Sequence, residues 1–377
     1  MILGLDFALC TYMAITRDPL TSFIVLLCLI SRYCTTKIVI LLLILVNLFS
    51  FTAQAKLHTG HSVDLGGEAY SVVELLAETG EGQVFRVINN KTGVEFVLKE
   101  YHYTTDHYGR YTTYFRKNRR IRLAQKYTNL KKLKQSMDND PRPIIGLQKI
   151  IALKLEKNSL LELSPLANSS FRDRLKNKNL SNLKLKKNQG VKELELKIDT
   201  LYRLFKQSVL TVETLHTYGF LHLDIKPANF LVYEQFLQQI YLSDYGSIQR
   251  IGSKETKINT STFFAPPELL HESSEENIVR KNLPPDISAD YFSLAKTWLI
   301  IFSDLDSKFY NYWGVNNDLE VLNKRYEKYK NKHILKFKNK LPYHSWIKLN
   351  SLLTFIDAVF IEDPKQRLRN LANKKNE

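Results

Sequence analysis

The sequence predicts an α+β protein built as two lobes with a cleft between them, and three observations carry that prediction. Between Tyr70 and Leu166 the apolar residues fall in short runs bounded by Gly, Asn, Lys and Thr, the pattern of strands and turns. From Phe171 onward they recur at helical spacing instead. Within the helical region a single stretch, GFLHLDIKPANFLV (219–232), crowds His222, Asp224, Lys226 and Asn229 between the end of a helical pattern and a short apolar run. A small strand-rich region followed by a larger helix-rich region packs as two lobes.

In chain order the first feature is a targeting segment. Lys37 precedes an apolar run from Ile38 to Phe51, and Ala53-Gln54-Ala55 follows. A positive flank, a short apolar stretch and a small-x-small site read as a secretory signal peptide over residues 1–55, giving an exported product, periplasmic or secreted. A second apolar patch, Phe23 to Ile30, supports the alternative of an uncleaved membrane anchor within residues 20–55. Residues 56–69 read as a leader with turn chemistry. Strands follow at YSVVELLA (70–77), QVFRVI (83–88) and VEFVLKEY (94–101), with NNKTG as the turn between the last two. Residues 110–137 switch to a basic, helix-permissive run, after which IIGLQKIIALKL (144–155) and SLLELSPL (159–166) read as strands. Leu201, Leu204, Phe205, Val212 and Leu215 lie on one helical face that Gly219 closes as a C-cap. NFLVY (229–233) and IYLS (240–243) are then short enough to pair as a hairpin, which brings Asn229 at one base near Asp244 at the other.

Composition narrows the chemistry. The 377 residues carry a formal net charge of +16, a balance that favours acidic partners. Ten of the Lys and Arg residues lie between Arg110 and Lys134, a patch suited to an acidic protein, an inositol phosphate or anionic lipid. No aromatic-interleaved basic motif accompanies it, so no nucleic-acid partner is expected. Cys10, Cys28 and Cys34 all precede residue 55, which excludes thiolate metal sites, disulfides and thiol catalysis from the body. The oxygens of Asn229 and Asp244 are hard ligands of the kind that suit magnesium. Asp224, five residues before Asn229, is placed to accept a proton from an alcohol, and Lys226 to reach a phosphate in transfer. His222 reads as a structural side chain that holds the loop.

The ordered set His222-Leu223-Asp224-Ile225-Lys226-Pro227-Ala228-Asn229 resembles the catalytic-loop motif of the eukaryotic-type (Ser/Thr) protein kinase superfamily, and Asp244-Tyr245-Gly246 resembles its magnesium-binding motif. Pro266-Pro267-Glu268, Asp290 and Arg367 match further family positions: the end of the activation segment, a buried helix aspartate, and the arginine that pairs with the glutamate at Glu268. The resemblance implies a bilobal kinase-like fold over residues 70–372. It would comprise a small antiparallel-sheet N-lobe (70–161), a hinge (162–165) and a larger helical C-lobe (166–372). It further implies ATP and Mg²⁺ as cofactors and a protein substrate phosphorylated on Ser or Thr. The catalytic set would be Asp224, Lys226, Asn229 and Lys99, with Asn229 and Asp244 on the metal. Val84 and Val97 would sandwich the adenine, Lys99 would contact the α- and β-phosphates, Leu161 would be the gatekeeper, and the backbones of Glu162 and Ser164 would bind the base. Lys226, two residues after the aspartate, resembles Ser/Thr kinases, and Ser261 or Thr262 would be the hydroxyl residue that contacts the catalytic loop.

Three departures from the family pattern are visible. Ala77 and Thr79 occupy the first two glycine positions of the phosphate-covering loop, leaving Gly80 and Gly82. No acidic residue lies between Asp106 and Asp138, where kinases usually supply a helix glutamate to hold the strand lysine; Asn118 and Gln125 are the neutral candidates. Leu223 replaces the arginine that commonly precedes the catalytic aspartate and reads a phosphate, so phosphorylation of the 247–265 segment is not expected to be the main switch. The alternative reading is a pseudokinase-like module that binds nucleotide, or an acidic partner through the basic helix, without efficient turnover.

Overall fold

In the computed structural model the described residues are 57–375, less 80–81, 103–112, 143, 177–189, 234–238, 254–259, 262, 270–283 and 304–318. Residues 1–55, which the sequence reads as a signal peptide or anchor, together with Gly80 and Thr262, therefore lie outside them. His58–Glu377 forms one compact unit.

Its first lobe is a six-stranded antiparallel sheet in the order β1-β2-β3-β4-β6-β5. The strands are β1 (Ser62–Leu65), β2 (Glu68–Thr79), β3 (Gly82–Asn89), β4 (Glu95–Tyr101), β5 (Ala152–Leu155) and β6 (Leu160–Pro165). Alternating branched and aromatic residues favour these strands, as Phe85 and Val87 do by turning to the core while Arg86 faces outward. Helix α1 (Thr113–Asn139) lies beside the sheet and buries Leu123, Leu130, Leu133 and Met137, each worth about 1.5–3 kcal/mol of burial.

Two sequence expectations change here. Residues 56–69, read as an irregular leader, contain β1, which pairs with β2 from Ser62↔Ser71 to Leu65↔Glu68 and buries Val63 and Leu65. The run 144–155 is a strand only from Ala152. Gly146 takes φ +79, where a side chain would meet Thr211 Oγ1 at 1.8 Å. The turn at that glycine sends Leu147 into a lone bridge with Leu242 in the other lobe.

The second lobe is mostly helical. It opens with β7 (Ser169–Ser170) and α2 (Phe171–Lys176), followed by the long α3 (Val191–Thr217). A catalytic-loop region then carries β8 (Phe220–Leu221), β9 (Phe230–Val232), β10 (Tyr241–Leu242) and β11 (Gln249–Arg250). Helices α4 (Ile287–Ser303), α5 (Leu319–Tyr329), α6 (Tyr343–Val359) and α7 (Pro364–Lys375) complete the lobe. Trp298 of α4 sits at its centre, fully buried, with its indole N–H donating to Ser208 Oγ at 2.8 Å and the Phe205 ring edge-on. That hydrogen bond satisfies the one polar atom of a large apolar side chain. Among the described residues no helix is long and apolar enough to cross a membrane.

Candidate active site

The loop after α3 is held in an unfavourable backbone shape by one buried carboxylate. Helix α3 ends at Thr217, Tyr218 caps it, and Gly219 follows at φ +83 with its N–H donating to His216 O, one residue past the cap that the sequence assigned to it. Leu223 then takes φ 66, a conformation costing a non-glycine residue about 1–2 kcal/mol. Asp290, fully buried in the first turn of α4, offsets that strain by accepting the backbone N–H groups of His222 and Leu223, each at 2.8 Å, and it also meets His216 Nε2 at 2.9 Å. Burial pushes the Asp290 carboxyl up, but its bond to His216 and the backbone N–H of His222 bring it below the usual carboxylate value. His222 is structural, as expected: its Nε2 donates to Ser243 O at 2.9 Å, and its Nδ1 accepts the Asp224 N–H at 3.3 Å.

Asp224 is the focus of the loop. Its carboxylate accepts from Lys226 Nζ at 2.6 Å, from the Ser261 N–H at 2.8 Å and from Asn229 Nδ2 at 3.2 Å. Lys226 Nζ also donates to Ser261 Oγ at 2.7 Å, which places Ser261, one of the two hydroxyl candidates, on the catalytic loop. Asn229 Nδ2 donates a second bond to Asp224 O at 2.8 Å, so the amide presents its oxygen on the opposite edge.

The hairpin forms as the sequence implied, with Tyr241↔Leu231 and Leu242↔Phe230 paired. Ser243 donates its N–H at 2.8 Å and its hydroxyl at 3.0 Å to Asn229 O, which fixes the loop beside Asp244. Asp244 adopts a left-handed backbone (φ 63, ψ 64), and its Oδ1 accepts Lys99 Nζ at 3.0 Å across 145 residues of sequence. Burial alone would raise this carboxyl; Lys99, then Lys226, hold it well below the usual carboxylate range. Tyr245 is fully buried, its hydroxyl shared between Gln148 O and Leu242 O.

On the sheet side, Val84 lies directly opposite Lys99, and Val97 shares the Lys99 face of β4. Ala77 pairs with Val84 in β2. Gly82 packs so tightly that a Cβ there would meet Glu100 O at 1.9 Å, so this position excludes a side chain. The base-binding expectation is corrected. Residues 162–165 are strand β6, not a linker, and Glu162 lies between two strands, opposite Lys99 on one side and Leu153 on the other. Its backbone belongs to the sheet and its side chain is buried. Ser164 is likewise within β6, paired with Val97. Leu161 pairs with Glu100 and therefore faces away from Lys99, which removes it as gatekeeper; Glu162 and Ser164 share the lysine's face. The chain leaves the sheet only after Pro165. Of the neutral candidates for the helix, Gln125 lies on the exposed side of α1, and the Asn118 side chain is outside the described residues.

The segment after Ser261 is anchored by Arg367, fully buried, whose two terminal nitrogens donate to both Glu268 oxygens at 2.7 Å. With the lysine, the two aspartates and the asparagine gathered on one cleft, comparison with known sequences becomes decisive. The family model of the protein kinase domain matches residues 70–375. This chain belongs to the protein kinase family. Its antiparallel-sheet lobe followed by a helical lobe is the bilobal kinase fold. It is 26% identical to the serine/threonine-protein kinase ArnS of Sulfolobus acidocaldarius over 185 residues, covering 44% of this chain and 28% of that protein. It is 25% identical to cyclin-dependent kinase 12 of Caenorhabditis elegans over 205 residues, covering 53% and 25%. A shorter match, 34% over 82 residues, links it to the serine/threonine-protein kinase ISR1 of Saccharomyces cerevisiae, covering 20% and 18%. The chain thus spans less than a third of the length of these curated relatives.

For a kinase-family site the geometry is coherent. The partners of the Asp224 carboxylate are all donors, which keeps it aimed. Lys99 and Asp244 already meet, so an ion pair joins the sheet lobe to the helical lobe. The sequence reading missed the buried charge of Glu162. Glu162 stands alone among leucines in LLELS, and an acidic residue in so apolar a run was the signal for an interior role.

Proposed function

We propose that this chain transfers the γ-phosphoryl group of ATP to serine or threonine hydroxyls of a protein substrate. The observation that carries the reading is the locked Asp224–Lys226–Ser261 cluster beside the Lys99–Asp244 pair. Asp224 orients the substrate hydroxyl and takes its proton as the new O–P bond forms and the bond to the ADP leaving group breaks, a role worth about 10²–10⁴ in rate. Lys226 offsets charge on the group in flight, and Lys99 positions the α- and β-phosphates. Magnesium fits the donor set, since the Asn229 amide turns its nitrogen to Asp224 and keeps its oxygen for a ligand, and Asp244 supplies a carboxylate held anionic. When bound, the metal supplies charge stabilisation on the phosphates, with Asn229 and Asp244 holding it. Val84 and Val97 offer the apolar face for the base, and the backbone of Leu166 and Ala167, just beyond the sheet, replaces Glu162 as the candidate for its hydrogen-bonding edge.

Phosphoamino-acid analysis of a protein substrate labelled by the full chain tests the hydroxyl class. Label on serine or threonine supports the proposal, and label confined to tyrosine overturns it. Two further readings rest on the sequence. Cleavage of the export signal is tested by N-terminal sequencing of the mature protein, which should begin at Lys56; a retained N-terminus contradicts cleavage and favours the membrane anchor. Docking of an acidic partner on α1, where Arg120, Lys131 and Lys132 are exposed, is tested by binding to inositol hexakisphosphate at low and high salt, and salt-independent binding contradicts it.

A further inference from the structure

Helix α1 turns Leu123, Lys126, Leu130, Leu133 and Met137 toward the sheet, at alternating spacings of three and four. Lys126 is the one charged side chain in that row and is only 6% exposed. Strand β6 turns a fully buried carboxylate, Glu162, into the same interior. Tyr101 joins the two: its hydroxyl donates to Glu162 Oε2 at 2.8 Å, and Lys126 Nζ lies 4.3 Å from the centre of its ring. Both ends of this contact bear on the site. Tyr101 is two residues beyond Lys99 on the same face of β4, and Glu162 is the residue directly opposite Lys99. The Glu162 charge also reaches the Tyr245 phenol, which burial and then this carboxylate push up.

The chemistry of the three groups is cooperative. A phenol that donates its proton to a carboxylate carries a more negative ring face and attracts an ammonium group more strongly. A buried carboxylate and a buried ammonium each cost several kcal/mol unless compensated, and the ring lets one offset the other without direct contact. Helix α1 itself has no acidic residue on its inward face with which to hold the strand.

We propose that Lys126, Tyr101 and Glu162 form a positioning relay that ties α1 to strands β4 and β6 and sets the place of Lys99. The relay rests on the phosphoryl-transfer reading for its consequence but not for its existence, and two measurements on the full chain separate them. The first is urea unfolding of Lys126→Met, Glu162→Gln and the double variant. Coupling through the ring predicts that the double variant loses no more than about threefold in the unfolding equilibrium beyond the worse single change; losses that multiply overturn the relay, whether or not the protein turns over ATP. The second is steady-state transfer by Tyr101→Phe, which keeps the ring under Lys126 and removes only the hydroxyl. The relay predicts kcat down about tenfold with KM for ATP within threefold, because lost positioning weakens chemistry more than binding. Wild-type kcat in a folded Tyr101→Phe protein overturns it. A wild-type chain without any turnover sinks the phosphoryl-transfer reading alone and leaves the unfolding cycle to decide the relay.

Discussion

Lys296 shows how one side chain can work against the fold that holds it. It lies in α4, 3% exposed, with its ammonium 4.6 Å from the centre of the Phe263 ring, and burial lowers its pKa to about 8. Because the unfolded chain keeps the ordinary value near 10.5, it binds more protons than the folded one between pH 8 and 10.5, so stability rises with pH across that window. Lys296→Met is therefore expected to stabilise the protein at pH 7 by roughly 1–3 kcal/mol in urea unfolding, with the gain shrinking toward pH 10.5. An equal gain at both pH values would contradict the burial cost. At this scale the sequence was most legible where chemistry forces spacing. Asp224, Lys226 and Asn229 could be read because a proton acceptor, a cation and a metal ligand must share one short loop. Glu162 could not be placed, since LLELSPL fits a strand in either facing and only the pairing with β4 decides which residues face Lys99.

Between elements, the clearest load falls on the Arg367–Glu268 fork, which joins α7 to the segment after Ser261 and stacks the guanidinium on Phe292. Arg367→Met leaves a nearly buried carboxylate without its cation and is expected to cost about 3–5 kcal/mol in urea unfolding, most of it recovered by Arg367→Met with Glu268→Leu. A double variant as unstable as the single would show that shape, not charge, makes the joint. Leu223 has a different role from the arginine it replaces. It packs among Leu221, Ala265, Leu269 and Ala289, an apolar cluster that among the described residues offers no charge to read a phosphate. Phosphatase treatment should accordingly change activity less than threefold, and a tenfold change would return loop phosphorylation as the switch. Strands and helices were legible here from period alone, but their limits were not. The 162–165 linker became strand because β4 and β5 both pair with β6, and the leader became β1 because Gly66 and Gly67 turn it back onto β2; both are partnerships between distant or turned segments that a local pattern does not contain.

At the scale of the molecule, the fold brings a sheet lysine and three loop side chains from separate stretches onto one cleft. Asp290 and Arg367 hold the loops from behind, and Asp244 links the lobes through Lys99. Order along the chain made this assembly readable in advance, since the family motifs follow one another at permissible distances. What faces Lys99 was not readable, because the helix that follows it carries no glutamate and the partner lies 145 residues away. The net charge of +16 says little about the site, where Lys99 pairs with Asp244 and Lys226 with Asp224. The most direct measurement is phosphate transfer from γ-labelled ATP with magnesium by the purified full chain, set against Asp224→Ala. Wild-type incorporation at least about a hundredfold above the variant is predicted, given the rate worth of a positioned base. Equal incorporation by the two proteins would contradict it.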